Sequence, residues 1–476
     1  MDLSNLTIKK ASELLRSKKL TVKELVHFYL ERIEEKKDLN IFLETYPDLE
    51  EQIVLAQEKI DNGNATEITG IPIAVKDNIL IKSKKASGAS KILEDYKATY
   101  DATVISKLRE HSPIFIGRVN MDEFAMGGST ENSGFGVTKN PIDKTRVPGG
   151  SSGGSAASVA ADLAVFALGS DTGGSIRQPA SFCGVTGLKP TYGSVSRHGL
   201  MAMASSLDVI GPITKNTEDA EIVFNIIKGK DIKDSTTIES EDSKEGSVPE
   251  ISNKTVKKIG VPRDFMKEGV DPEVLENFEK SLKKLSENGY EIVDIEMPDL
   301  KYSLPVYYVI MPAEVSSNMA RYDGVKYGKK IEGDDLIGDY FKTRGGLLGS
   351  EVRRRIILGT YVLSAGYSDQ YYNKAWQVRN LITQEFENAF KEVDLIAMPT
   401  SPTPAFKIGE KTEDPVSMYL ADIFTVSANL AGVPAISIPD GTVSREEKDL
   451  PTGLQLIAPQ LCENKLFEVG KNFEII

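Results

Sequence analysis

Gly149-Gly150-Ser151-Ser152-Gly153-Gly154-Ser155, the alanine-rich run Ala156 to Ala161, the apolar run Leu163 to Leu168 and the second turn Asp171-Thr172-Gly173-Gly174-Ser175 decide how this chain folds. Glycine and serine alone make the first turn, so its backbone can come close to other groups. The alanines predict a helix, the apolar run a buried strand, and Ile176-Arg177-Gln178 the start of another helix. Loop, helix, strand and loop together bring two hydroxyl-bearing turns to the ends of buried elements. A phosphate-binding loop would need GxxxxGK followed by Ser or Thr, and no lysine lies in the first turn. Ordered apolar segments on both sides argue against a flexible linker.

Upstream, the apolar run Ile71 through Val75, broken by Lys76-Asp77-Asn78 and resumed by Ile79-Leu80-Ile81, reads as a buried strand. Ile114-Phe115-Ile116 predicts a second, ending in a loop that holds Asn120-Met121-Asp122-Glu123-Phe124. Thr21 and Glu24 form a capping box ahead of Val22, Leu25, Val26, Tyr29 and Ile33 at helical spacing. Downstream, polar and charged residues over about 229–252, among them Asp231, Asp234, Glu239 and Lys244, predict an exposed excursion. Strand-like sequence returns at Lys258 to Val261, Leu395 to Met398, Ala435 to Ile438 and Leu454 to Ile457. Between these lie helical stretches, roughly Glu351 to Ser364 and Tyr367 to Phe390, the second holding the sole tryptophan, Trp376. Strands at both ends with helices between predict an α/β protein. Its large mixed β-sheet is covered by helices on both faces, as one domain over residues 1–476.

The bulk numbers bound the function. A net charge of −13 argues against wrapping nucleic acid, which needs Lys and Arg to displace phosphate counterions, so any RNA contact falls to a partner. Cys183 and Cys462 are too few for a disulfide framework and too far apart for a metal knuckle, and are expected to be buried thiols. Lys9, Lys10, Arg16, Lys18 and Lys19 interrupt the N-terminal apolar residues, so no signal peptide or membrane span is predicted and the cytoplasm is the expected compartment.

A serine hydroxyl is a weak nucleophile until a base takes its proton. Of the three histidines, His27 lies in an amphipathic helix and His111 in a polar turn, which leaves His198 as the one triad candidate. Lysine can serve instead if burial lowers its pKa. Lys76, bracketed by apolar runs, is the candidate, and its alternative role is an ion pair with Asp77 or another carboxylate. Holding it uncharged at pH 7 against a reference pKa near 10.4 costs roughly 4.6 kcal/mol, a shift that burial can supply. Ser175 follows a glycine turn at an apparent helix start. The amides of Thr172, Gly173 and Gly174 are the candidate oxyanion donors there. Ser151 in the first turn is the expected proton relay.

Taken together, GGSSGGS, the apolar strand and DTGGSIRQPA resemble the amidase signature family. That resemblance implies a Ser-Ser-Lys triad of Lys76, Ser151 and Ser175, with Ser151 at a cis peptide bond and no metal. Within the family the chain is most similar to the glutamine-hydrolysing subunits of tRNA-dependent amidotransferases. Asn120 to Met126, Ser129 to Ser133, Gly359 to Ser364 and Asp422 to Pro434 carry this likeness. Gly127-Gly128-Ser129 departs from the commoner single glycine and two serines. The resemblance implies glutamine as ammonia donor and a heterotrimer with a B subunit, which binds ATP, Mg and the charged tRNA, and a small C subunit. Glu-tRNA(Gln) is the expected target, although some such enzymes also act on Asp-tRNA(Asn). It further assigns Arg355, the third of three consecutive arginines, to the substrate carboxylate and Asp422 to the substrate ammonium. A helix cap is the alternative for Asp422. Two rival functions are a stand-alone amidase for aryl or fatty amides and an inactive partner-binding scaffold.

Overall fold

The computed structural model of the protein describes residues 3–238 and 255–475, apart from Tyr327 and Glu413. Its strands are β1 (Phe42–Thr45), β2 (Pro72–Lys76), β3 (Ile114–Val119), β4 (Phe166–Asp171), β5 (Thr186–Lys189), β6 (Val209–Thr214), β7 (Lys258–Val261), β8 (Glu291–Asp294), β9 (Leu395–Pro399), β10 (Ala435–Arg445) and β11 (Lys448–Ile457). Among the described residues they form an 11-stranded sheet in the order β1-β3-β2-β4-β6-β5-β10-β11-β9-β7-β8. The group β3, β2, β4 is parallel, as is β9, β7, β8. Their other neighbours pair antiparallel, so the sheet is mixed.

Side chains alternate between the faces of a strand, and here each face has its own core. Ile73 and Val75 of β2, with Phe166 and Leu168 of β4, enter the larger core, where they meet Val22, Leu25, Val26 and Tyr29 of the Val22–Glu35 helix. The intervening Ala74 and Ala167 enter the other. There they meet Ala156, Ala157 and Val159 of the Gly153–Ala160 helix and Ala180 and Cys183 of the Arg177–Cys183 helix. Small residues on this second face let the two short helices lie close to the sheet, and both begin in the glycine turns. The expected α/β sheet covered on both faces is therefore what forms. Both cysteines are free and buried.

Three segments differ from their sequence reading. Ile79 to Ile81 does not resume a strand: Asp77 accepts the Ala89 amide at 2.8 Å and turns the chain, leaving Ile79 in an isolated bridge to Leu200. The stretch from Tyr367 begins as a π-helical turn, Asp369–Asn373, before the α-helix Lys374–Glu392. The start of the polar excursion is tied down, with Asp234 paired to Arg197 at 3.0 Å and the Ile238 amide bonded to Gly193 O at 3.0 Å. Residues 239–252 lie outside the described residues.

The Ser303–Asn318 helix carries an internal proline, Pro312, and crosses the Ser350–Leu363 helix at Gly359. The backbones are so near that a Cβ at Gly359 would lie 1.8 Å from Pro312 O. Gly359→Ala must push these helices apart. The expected loss is about 1–3 kcal/mol, as in other overpacked sites, read as a lowered urea midpoint at unchanged slope.

Candidate active site

β2 ends at Lys76 beside the parallel β4, which places the amine next to Ser170 near the end of that strand. Lys76 is fully buried. Its Nζ lies 2.7 Å from Ser151 Oγ, 2.7 Å from Ser152 Oγ, 2.9 Å from Ser170 Oγ and 3.2 Å from Ser170 O. The three hydroxyls differ in what else they hold. Ser152 donates to Ser170 O at 3.0 Å, and Ser170 Oγ accepts from Asn78 Nδ2 at 3.0 Å. Among the described residues Ser151 Oγ has Lys76 alone, so its proton is free to be given to an uncharged amine. The Gly150–Ser151 peptide is cis.

Burial drives the Lys76 pKa down, the carboxylates of Asp122, Asp171 and Asp208 pull it partly back, and the balance leaves it at about 7. None of those carboxylates bonds the amine. Asp77, the alternative partner, instead pairs with Arg118 at 2.8 Å. No histidine shares a hydrogen bond with the serine turns among the described residues. His198 stacks on Tyr100 and approaches Thr103.

The second turn is held by a fully buried ion pair, Asp171 with Arg177 at 3.0 Å. Burial would raise the Asp171 pKa, but the adjacent guanidinium overrides it and holds the carboxyl below the usual range. Arg177 also reaches Gln455 Oε1 at 2.6 Å, Asn429 Oδ1 at 2.6 Å and Thr425 O at 3.0 Å, which joins the turn to β11 and to the Val426–Leu430 helix. The two turns are fastened to each other. Ser152 N donates to Ser175 O at 3.1 Å, and Gln178 Oε1 accepts from Gly150 N at 3.0 Å. Ser175 is half-buried among buried neighbours.

The expected oxyanion donors do not all stay available. Gly174 N donates to Asp171 Oδ1 at 2.8 Å, so that amide is already used. Among the described residues the amides of Thr172 and Gly173 have no protein acceptor, nor does that of Ser175. Thr172 is steadied through its hydroxyl, which donates to Asp208 Oδ1 at 2.7 Å.

Burial settles which of the three arginines faces inward. Arg353 and Arg354 are exposed, whereas Arg355 is buried. Its Nε donates to Glu351 Oε1 at 2.8 Å, one helical turn away, and its guanidinium lies 5.9 Å from the ring centres of Tyr308 and Tyr419. Those two rings stack at 3.9 Å. Glu351 and the rings orient Arg355 while its outer nitrogens keep unused protons. Asp422 is half-buried, and its carboxylate has no hydrogen-bond partner among the described residues. Burial raises its pKa, the charge of Arg355 opposes this, and the result is about 8. The Asp422 backbone carbonyl, not its side chain, receives the Thr425 hydroxyl at 3.0 Å, so the side chain does not act as a cap there.

Ser152, Ser170 and Asn78 around the lysine, and Arg177, Asp208, Glu351, Tyr308 and Tyr419 around the turns and the arginine, were not singled out by sequence. Signals existed for two of them. Arg177 follows Asp171 inside DTGGSIR, and Glu351 precedes Arg355 by four residues, the spacing of a helical ion pair.

The amidase family matches residues 24–467. The A subunit of the glutamyl-tRNA(Gln) amidotransferase of Thermoanaerobacter pseudethanolicus is 52% identical over 100% of this chain and 97% of its own length. The protein of that name from Thermodesulfovibrio yellowstonii is 51% identical, with 100% and 98% covered. The crystal structure of the corresponding glutamyl-tRNA(Gln) amidotransferase protein from Thermotoga maritima superimposes with a TM-score of 0.79 at 42% identity, covering 100% of this chain and 96% of that one.

The Lys76 environment has a consequence for stability that needs no assumption about chemistry. Unfolded, a lysine keeps its proton to about pH 10.5, and folded, Lys76 gives it up near 7. Between these values the unfolded chain binds more protons, so this group's contribution to stability rises with pH and falls away as pH drops to 7. The stability difference between the wild type and Lys76→Met should shift toward the wild type by about 2 kcal/mol from pH 7 to pH 9, measured by urea unfolding at each pH.

Proposed function

This chain belongs to the amidase family, and on that premise we propose that it is the glutamine-hydrolysing subunit of a glutamyl-tRNA(Gln) amidotransferase. One observation carries the chemistry: a dehydrated lysine with a pKa of about 7 stands 2.7 Å from a serine hydroxyl that has no other partner among the described residues. In this reading Ser175 Oγ attacks the side-chain carbonyl carbon of glutamine. Its proton passes to Ser151 as the Ser151 proton passes to Lys76. The negative oxygen of the tetrahedral intermediate is received by the free amides of the second turn, those of Thr172 and Gly173. As the C–N bond breaks, the proton returns through Ser151 to the leaving nitrogen and ammonia departs, leaving a γ-glutamyl ester on Ser175. Water, deprotonated by the same route, attacks the ester and releases glutamate.

Recognition falls to two groups that suit a free amino acid. Arg355, oriented by Glu351 with protons to spare, receives the α-carboxylate, and Asp422 receives the α-ammonium. The relatives carry the name of one subunit of an amidotransferase, which supports a multi-subunit assembly. We assign the ammonia to a B subunit that binds ATP, Mg and charged tRNA, held with a small C subunit in a heterotrimer. Its amide product is made on Glu-tRNA(Gln). The net charge of −13 supports leaving the tRNA to the partner. Among the described residues no helix is long and apolar enough to cross a membrane, and we place the complex in the cytoplasm.

Two measurements on the chain assembled with its B and C partners test this. Ser175→Ala should lower glutaminase activity by roughly 10⁴ or more, and a rate near that of the wild type would remove Ser175 from the nucleophile's place. In the wild type, kcat/KM for glutamine should fall as pH drops below about 7, because protonated Lys76 cannot accept a proton.

Ser175→Ala also allows binding without turnover. An ammonium beside Asp422 should pull its pKa down from about 8, so glutamine binding at pH 7 should release part of a proton. Calorimetry in buffers of different ionisation enthalpy reads that release. Adding Asp422→Asn should abolish it and weaken binding.

A further inference from the structure

Asp122 and Glu123 are adjacent buried carboxylates that reach in different directions. Asp122 accepts from Thr130 N at 2.8 Å and Asn132 N at 3.1 Å, and its own amide donates to Ser151 O at 3.3 Å. It belongs to the serine turn. Glu123 belongs elsewhere: its Oε2 accepts from Gly349 N at 2.7 Å, and its Oε1 accepts from Ser90 Oγ.

Gly349 immediately precedes the Ser350–Leu363 helix, the one that carries Glu351 and Arg355, and no side chain of that helix caps its start. The preceding helix, Leu336–Leu347, buries only Thr343, and the connection between the two helices is anchored by the buried Leu348 on one side of Gly349 and by the Glu123 contact on Gly349 itself. A Cβ at Gly349 would lie 2.3 Å from Glu123 Oε2, which makes glycine a condition of the contact. The Asp122-Glu123 dipeptide thus holds the Ser151 turn with one residue and the start of the Arg355 helix with the next, across 226 positions of sequence.

We propose that Glu123 is a positioning residue that sets the distance between the reacting hydroxyls and Arg355, and so fixes selectivity for amides bearing an α-carboxylate. It does this without touching substrate. The inference rests on the assignment of Arg355 made above. When the start of the helix is released, the arginine is displaced, and a substrate that uses it loses affinity. A substrate that lacks the carboxylate loses nothing. The Ser151 turn, held separately by Asp122, keeps its chemistry.

The test compares glutamine with 4-aminobutanamide, which is glutamine without its α-carboxylate, using the full chain assembled with its partner subunits. Glu123→Ala should raise KM for glutamine about tenfold, with kcat within about twofold and kcat/KM for 4-aminobutanamide unchanged. Glu123→Gln keeps an acceptor for Gly349 N and should restore the glutamine KM. An equal loss on both substrates, or a loss in kcat with KM unchanged, would overturn the proposal. Should Glu123→Ala fail to fold, Gly349→Ala decides by the same criteria, since it displaces the carboxyl group and leaves Glu123 itself in place. A wild type with no preference for glutamine over 4-aminobutanamide would instead overturn the Arg355 assignment, and the proposal with it. A preference intact in the wild type and in Glu123→Ala alike would overturn the proposal alone.

Discussion

A lysine amine that water cannot reach is the constraint around which the rest of this molecule is arranged. Burial disfavours the ammonium, yet a carboxylate in contact would restore it, so nearby acids must be present but engaged elsewhere. Every one of them is. Asp77, the next residue, is taken by Arg118. Asp171 is taken by Arg177, Asp208 by Thr172 and two backbone amides, and Asp122 by the amides of the Ser129 to Asn132 segment. Only neutral hydroxyls and one carbonyl are left to meet the amine. Their glycine-rich setting follows from this, because several small polar groups must converge on one nitrogen at the ends of two parallel strands.

The same constraint explains why the site draws on the whole chain. A buried ion pair adds little net stability against an apolar substitute, so Asp171 and Arg177 are better understood through shape. The guanidinium has partners on the second turn, on β11 and in the Val426–Leu430 helix, and these come from distant parts of the sequence. Losing one partner would leave a charge stranded in the core. The Ser175 turn is therefore fixed by residues hundreds of positions away.

How much of this could be read beforehand depended on whether the signal was local. Ile71 to Val75 is an unbroken apolar run and became a strand, whereas only the second half of the run Leu163 to Leu168 did. β4 starts at Phe166 and continues to Asp171, with Leu163 to Val165 in the turn before it. The two glycine turns and Lys76 were visible because small residues and a lone lysine among apolar neighbours are unusual in sequence. Ile79 to Ile81 misled because apolar character alone cannot separate a strand from a buried turn, and the carboxylate that turns the chain sits two residues earlier. Gly174 was expected as a free donor, but an aspartate three positions before it can fold back on its amide, as local turns of this type often do. Arg353, Arg354 and Arg355 are indistinguishable by composition. Only helix phase relative to Tyr308 and Tyr419 selects Arg355, and that phase belongs to the packing of two helices far apart in sequence.

Lys76 and Asp422 share one electrostatic logic. Burial lowers Lys76 to about 7 and raises Asp422 to about 8, so at neutral pH the uncharged amine is available and the carboxyl is largely protonated. On the function proposed above, each gains charge through its partner in the reaction: Asp422 by losing its proton as the ammonium docks against it, Lys76 by taking the proton that leaves Ser175 through Ser151. Charge that appears with the substrate costs nothing to desolvate beforehand, and it interacts at low dielectric just when it forms. Arg355 is the exception, charged at all times, and it is the one group given a permanent counter-charge in Glu351 and two aromatic faces. A permanent ion in this interior has to be built in with its support, whereas a transient one needs only a group whose pKa lies near the working pH.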